Sequence, residues 1–242
     1  MQANVRDPAD EAGIVPVARV SAIVLPGAVP PDILTEVRAR LAGARFGTGR
    51  ATAVGGAASV KNNLQLAADD PVEPRVVELI AGALQGSAIF QAAVWPDAMM
   101  RPMFARYQVG MGYGDHIDGA IMGQPPDILR GDVAVTVCLT DASEYEGGEL
   151  IMDTAGLPQA WKGRAGDVIT YAADTLHRVA PVTKGVRDVA VLWVQSLVRD
   201  AARRRILFDL RLALDTLDQT GQQGPHVEGL RRSYFNLIRM WV

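Results

Sequence analysis

Val133-Ala134-Val135-Thr136-Val137-Cys138-Leu139 is an unbroken run of β-branched and apolar residues, and it reads as one buried strand. Working outward from it, short β-rich runs stand at Ala88–Trp95, Pro102–Val109, Asp132–Thr140, Gly148–Met152, Gln159–Lys162, Asp167–Tyr171 and Arg187–Val198. Gly, Pro, Asn or Asp separates most of them. Many short strands in succession, with no helical pattern between them, predict a sandwich, jelly roll or barrel.

Helical periodicity flanks this β region. A short strand is expected at Ser21–Leu25, and Pro30-Pro31-Asp32 marks a helix start. Ile33, Leu34, Val37 and Leu41 then recur at helical spacing, and a second helix is expected over Glu73–Leu84. Gly43–Asn63, rich in Gly, Ala and Thr, reads as irregular. After Asp200, Leu207, Leu210, Leu214 and Leu217 line one helix face. Gly221 and Gly224-Pro225 break that helix, and Leu230, Tyr234, Leu237 and Trp241 mark another. The expected organisation is a loosely ordered extension over 1–16, a jelly-roll domain with N-terminal helices over 17–199, and a C-terminal helical pair over 200–242.

Composition bounds the function. The 242 residues are 49 % hydrophobic and 21 % charged, with a formal net charge of −3, which gives no overall reason to expect nucleic acid or an anionic membrane as partner. Cys138 is the sole cysteine, so no internal disulfide forms, and a packed thiol in a cytoplasmic protein is expected. The start, Met1 to Glu11, is polar and acidic rather than a secretion signal, and no apolar run approaches the roughly 20 residues of a membrane span.

Chemistry enters at His116-Ile117-Asp118. Residues two apart on an extended backbone share a face, so the imidazole and the carboxylate can converge on one ion. His226 lies in the terminal helical segment, whereas His177 follows a predicted strand. Two His and one carboxylate form the facial set that leaves positions open on iron(II). Ten residues after His177, Arg187 opens a strand and shares a face with Val189, Val191 and Trp193. An arginine among apolar neighbours calls for an anion, and its fork matches a carboxylate.

Tyr107-x-x-Gly110-x-x-Tyr113-x-x-His116-x-Asp118 and His177-Arg178-Val179-x-Pro181-Val182-x-x-Gly185-x-Arg187 resemble the two halves of the prolyl-hydroxylase-like oxygenase motif. Glu146-Gly147-Gly148-Glu149-Leu150 fits between them. Lys61-Asn62-Asn63-x-Gln65-Leu66 and Val194-Gln195-Ser196-Leu197-Val198-Arg199-Asp200 resemble the bacterial PKHD-type hydroxylases, and the likeness runs from about Ile33 to Leu210. The resemblance implies a double-stranded β-helix flanked by helices and an iron(II)- and 2-oxoglutarate-dependent hydroxylase, with ascorbate as a candidate reductant. It implies that His116, Asp118 and His177 hold iron and that Arg187 pairs with the distal carboxylate of 2-oxoglutarate. Tyr107 would share that pocket and Trp193 would wall it. Succinate and carbon dioxide are the implied co-products.

A retained Asp118 argues for hydroxylation rather than halogenation, which needs a halide where the carboxylate binds. Nucleic-acid demethylation would favour a basic groove. After Ser196 there are eight Arg against five Asp and Glu, a small excess spread over both helices. A cupin-like module that binds a metal or anion without turnover is the rival reading. The substrate is open between a peptidyl residue, an amino acid and a small metabolite, with Phe46–Asn63, Gly119–Gly131 and Asp141–Glu146 as candidate selectivity segments. The tail's stripes need an apolar cover on the same chain or on a second copy, and the expectation leans to a homodimer.

Overall fold

A computed structural model describes residues 22–52, 56–125, 127–154 and 157–242. The expected extension over 1–16 lies outside them. The order of elements is β1 (Ala22–Leu25), α1 (Pro31–Ala42), β2 (Phe46–Thr48), a 3-10 turn (Gly49–Thr52), α2 (Gly56–Val60), β3 (Lys61–Asn62), β4 (Leu64–Leu66), α3 (Glu73–Gly86) and α4 (Ala88–Val94). Next come β5 (Pro96–Met99), β6 (Met103–Tyr107), β7 (Gly112–His116), β8 (Ile121–Gln124), β9 (Asp127–Arg130), β10 (Val133–Cys138), β11 (Glu146–Gly147) and β12 (Leu150–Thr154). β13 (Leu157–Trp161), β14 (Val168–Ala172), β15 (His177–Val179), β16 (Val182–Lys184) and β17 (Arg187–Ser196) complete the β region, and α5 (Ala201–Gln219) and α6 (Pro225–Trp241) end the chain.

Two antiparallel sheets face each other. The larger runs β1-β14-β10-β17-β6-β4-β2, with β5 paired to the far part of β17; the smaller runs β13-β12-β15-β7-β3. Side-chain alternation splits the core between them. Val133, Val135 and Val137 of β10 and Ala190, Leu192 and Val194 of β17 pack on the helical side with Val37, Leu41, Val76, Ile80 and Phe90. Their neighbours Ala134, Cys138 and Val189 face the smaller sheet, where Leu150, Met152 and Val179 meet them. This is the expected jelly roll, with helices covering the outer face of its larger sheet.

One expected strand is a helix. Ala88–Trp95 forms α4 up to Val94, because Ser87 Oγ caps it by accepting from Phe90 N and because Phe90, Ala93 and Val94 are the buried positions, a spacing of three and one that only a helix gathers on one face. Trp95 ends it in the left-handed region at φ 53. The segment expected to be irregular, 43–63, contains β2, the 3-10 turn, α2 and β3 around residues that are not described. The hairpin β8–β9 and the strand β7 were not legible, since β7 reads Gly-Tyr-Gly-Asp-His and carries no apolar alternation.

The leucine stripe of α5 and the stripe of α6 cover each other. Leu207, Leu214 and Tyr234 are buried with Val198, against Trp95, Leu230, Leu237 and Trp241. The cover therefore lies on the same chain, and no second copy is needed to supply it. Among the described residues no single helix is long and apolar enough to cross a membrane; α3 and α4 pass such a test only together, across a 78° bend.

Candidate active site

His177 of β15 lies directly opposite His116 of β7 in the smaller sheet. The register thus brings two imidazoles together across one strand pair, ring centroids 4.2 Å apart and tilted by 51°, and Asp118 follows two residues beyond. One ligand atom from each of His116, Asp118 and His177 lies within 4.8 Å of the others, with 4.0 Å from His116 Nε2 to Asp118 Oδ1. Ile117 between them is 56 % exposed, as alternation requires.

Each histidine has its tautomer set by the backbone. His116 Nδ1 is 2.8 Å from Gly114 O and His177 Nδ1 is 2.9 Å from Thr175 O. A carbonyl only accepts, so Nδ1 donates in both and Nε2 keeps its lone pair. Burial lowers both imidazole pKa values, that of His116 to about 4, with His177 adding to the fall. Burial pushes the Asp118 carboxyl up, against the pull of the Trp193 indole, His116 and Lys61. Tyr113 stacks on His116 at 3.7 Å and Tyr171 meets His177 edge-on at 5.0 Å, so both rings are held in place.

The larger sheet contributes a second pair. Arg187 opens β17 and is the register partner of Tyr107, which closes β6. Each is only 4 % exposed, and the guanidinium stands 5.1 Å over the Tyr107 ring. Among the described residues, Arg187 Nη1 is buried with no hydrogen-bond partner, a costly state for a charged donor unless an anion arrives. The tyrosines beside it stay protonated: burial raises the phenol pKa of Tyr107 and Tyr145, while Arg187 lowers both. Gly148, at φ +65, lets this corner close, since a Cβ there would stand 3.1 Å from Arg187 Cδ and from the Tyr145 ring. On the opposite face the next residues lock the register, Arg106 binding Asp188 through Nε at 2.8 Å and Nη2 at 2.7 Å.

One cavity of about 440 Å³ joins the two pairs. His116, Asp118, His177, Arg187, Tyr107 and Trp193, the six residues singled out in the sequence, all line it. His226 does not; it is exposed at the start of α6. Lys61 and Asn63, which fall in the candidate selectivity segment Phe46–Asn63, also line it, as do Gln65 and Tyr171, to which the sequence assigns no role. β3 pairs with β7 in the smaller sheet and β4 with β6 in the larger, so this strand bridges the two sheets. Alternation turns Lys61, Asn63 and Gln65 inward, and all three are buried. Three inward polar residues at spacing two on a β run were the available signal. Burial pulls the Lys61 ammonium down to about 8.

Residues 102–195 match the 2OG-Fe(II) oxygenase superfamily and 200–242 match the PKHD-type hydroxylase C-terminal domain. A PKHD-type hydroxylase of Burkholderia ambifaria is 41 % identical over 220 residues, 90 % of this chain and 97 % of the relative. One of Gloeothece citriformis is 42 % identical over 218 residues, 90 % and 98 % of the two chains. Among solved structures, a prolyl hydroxylase of Trichoplax adhaerens, in complex with a hypoxia inducible factor peptide fragment, gives a TM-score of 0.53 at 16 % identity, over 77 % of this chain and 86 % of the other. A non-haem α-ketoglutarate-dependent epimerase from nogalamycin biosynthesis gives 0.51 at 12 % identity, over 74 % and 78 %. At such identities the structures speak for the fold alone.

Proposed function

The chain belongs to the PKHD-type hydroxylase family and is a non-haem iron(II)- and 2-oxoglutarate-dependent dioxygenase, and on that premise we propose that His116, Asp118 and His177 hold the iron while Arg187 and Tyr107 hold 2-oxoglutarate. The observation that carries this reading is the pairing, in one cavity, of a three-donor set within 4.8 Å and a buried guanidinium nitrogen without a partner among the described residues. The donors fit the metal: two neutral imidazoles offer Nε2, and a carboxylate supplies the charged ligand. Iron(II) with 2-oxoglutarate and oxygen supplies the oxidising power that hydroxylates an unactivated C–H, with succinate and carbon dioxide as co-products.

The protein's own work is positioning. Gly114 O and Thr175 O orient the two imidazoles, and Tyr113 and Tyr171 keep the rings from turning. Arg187 receives the distal carboxylate through its fork, with the Tyr107 hydroxyl beside it. Trp193 walls the cavity beside Asp118 and keeps water from the carboxylate. The substrate is a peptidyl residue, an amino acid or a small metabolite.

An assay with iron(II), 2-oxoglutarate, ascorbate and oxygen tests the reading. Succinate release that needs the metal, and that an accepted substrate stimulates, is expected. Tight metal binding with no succinate under any condition would leave a cupin-like module instead.

A further inference from the structure

The wall made by β3 and β4 carries a charge that neither iron nor 2-oxoglutarate answers. Lys61 is 6 % exposed. Among the described residues its ammonium meets the Thr52 hydroxyl at 2.8 Å and the face of Tyr113 at 5.4 Å. An ammonium has three N–H donors and is costly to bury without an anion. Tyr113, whose face it meets, stacks in turn on His116 at 3.7 Å, which sets the ammonium beside the proposed metal position. The single Thr52 hydroxyl proton has two acceptors in reach, Gln65 Oε1 at 2.8 Å and Gly49 O at 3.0 Å, so the Gln65 amide belongs to the same polar cluster as Lys61.

Among the described residues, the lysine, arginine and carboxylate side chains that line the cavity are Lys61, Arg187 and Asp118. Together they carry one net positive charge. On the reading above, the two charges of iron(II) cancel the two of 2-oxoglutarate, so the loaded cavity keeps that single positive charge. Arg187 is then paired with the cosubstrate and Asp118 with the metal. Lys61 is left over, inside a site of low polarity where an unpaired charge acts strongly.

We propose that Lys61 anchors a carboxylate of the substrate, so that the end of the molecule entering the cavity is monoanionic. The inference rests on the iron and 2-oxoglutarate reading of the same site and adds the substrate class to it. A carboxylate brings one charge and two acceptor oxygens, which suit the Lys61 ammonium and the Gln65 amide. A phosphate at neutral pH would leave excess negative charge. The carboxylate can belong to a free amino acid or to a peptide; Lys61 reads the group, not the rest of the molecule.

Acetate is the probe, with protein loaded with manganese(II) and saturating 2-oxoglutarate. Manganese enhances the proton relaxation of any small molecule held close to it. The methylene protons of 2-oxoglutarate report the metal and cosubstrate reading; their lack of enhancement in the wild type would reject that reading and, with it, the basis of this one. If they respond, the acetate methyl should respond as well and acetamide should not. Lys61→Met should weaken acetate binding at least about tenfold while the cosubstrate signal persists, and Lys61→Arg should restore part of the binding. Acetate relaxation unchanged in Lys61→Met would mean acetate sits on the metal, and the proposal fails. It fails equally if the wild type ignores acetate, or if Lys61→Met loses the 2-oxoglutarate signal in a protein that still melts cooperatively, since Lys61 would then serve the cosubstrate.

To separate the two sources, the free carboxylates of short peptides are compared with those of single amino acids as competitors of acetate. Competition by either class, lost in Lys61→Met, supports the anchor and names its source. Competition by their amides to the same extent would overturn it.

Discussion

His116 and His177 are prepared as ligands by their own backbone, each donating Nδ1–H to the carbonyl two residues upstream. Burial then keeps them neutral, so no proton has to leave before a metal binds at neutral pH. On the proposed assignment, His177→Ala should abolish turnover and weaken metal binding, whereas His226→Ala should leave both intact; equilibrium dialysis with iron(II) and a succinate assay measure the two. Full activity in His177→Ala would sink the assignment. At the other pair, Arg187→Ala should raise the 2-oxoglutarate requirement at least about tenfold, from a charged hydrogen bond of roughly 1.5–3 kcal/mol. Arg187→Lys should recover only part of it, since an ammonium lacks the fork. A cosubstrate titration that does not move in Arg187→Ala would place the anion elsewhere. These residues were legible because their types are rare in such surroundings: three histidines in the chain, and an arginine in an apolar strand. The inward, buried placement of Lys61, Asn63 and Gln65 was not, although Phe46–Asn63 stood as a candidate selectivity segment, because a short polar run looks like a surface loop until the strand is seen to bridge both sheets.

At the level of elements, the long strands were legible and the short ones were not. β10 and β17 announce themselves by alternation and β-branched content, and the structure pairs them from Val133–Val194 to Cys138–Val189. β7 and β15 are held by their neighbours rather than by propensity, and their residues were fixed by the chemistry they carry. α4 is not legible because an eight-residue run whose one polar member is Gln91 fits a buried strand as well as a helix, and its Ser87 cap is the signal that decides. The turn before β12 shows what an element boundary does for the site. Gly148 has φ +65 and sits against Arg187 Cδ, Val182 Cγ2 and the Tyr145 ring. Gly148→Ala should therefore cost about 1–2 kcal/mol in backbone strain alone and displace the guanidinium as well. The expected result is a lower melting temperature together with a several-fold higher 2-oxoglutarate requirement. A variant that melts lower yet titrates normally would show that Arg187 tolerates the shift and that the glycine serves only the turn.

For the whole molecule, the tail is the part whose role depends on what covers it. α5 and α6 bury Leu207, Leu214 and Tyr234 against each other, and Val198 and Trp95 join that cluster from the β region. Phe208 reaches further, into the main core beside the larger sheet. Arg204 fixes the joint: its guanidinium is buried and donates to Val198 O at 2.8 Å, Arg199 O at 2.9 Å and Asp132 O at 3.4 Å. Asp132 stands just before β10, an interior strand of the larger sheet paired with β17, so the tail is tied to the scaffold that carries Arg187 and Trp193. The leucine stripe made the helices legible, but the tail's arginines count in the sequence only as a small charge excess, and nothing there marks Arg204 as an interior donor. Removing 200–242 would expose Val198 and part of the Trp95 cluster and leave three carbonyls short of a donor. Full burial of Leu207 and Leu214 is worth roughly 1.5–3 kcal/mol each, out of the 5–15 kcal/mol that keep a domain folded. Truncation after Arg199 should therefore lower the melting temperature steeply or cause aggregation. Point variants separate packing from mere presence: Leu207→Ala, fully buried, should cost about 2–5 kcal/mol, while Leu212→Ala, 42 % exposed, should stay within about 0.5 kcal/mol. Denaturant melts of both variants provide the measurement. Equal costs, or a truncated chain that melts like the full one and keeps its turnover, would show that the tail serves something other than holding the β core.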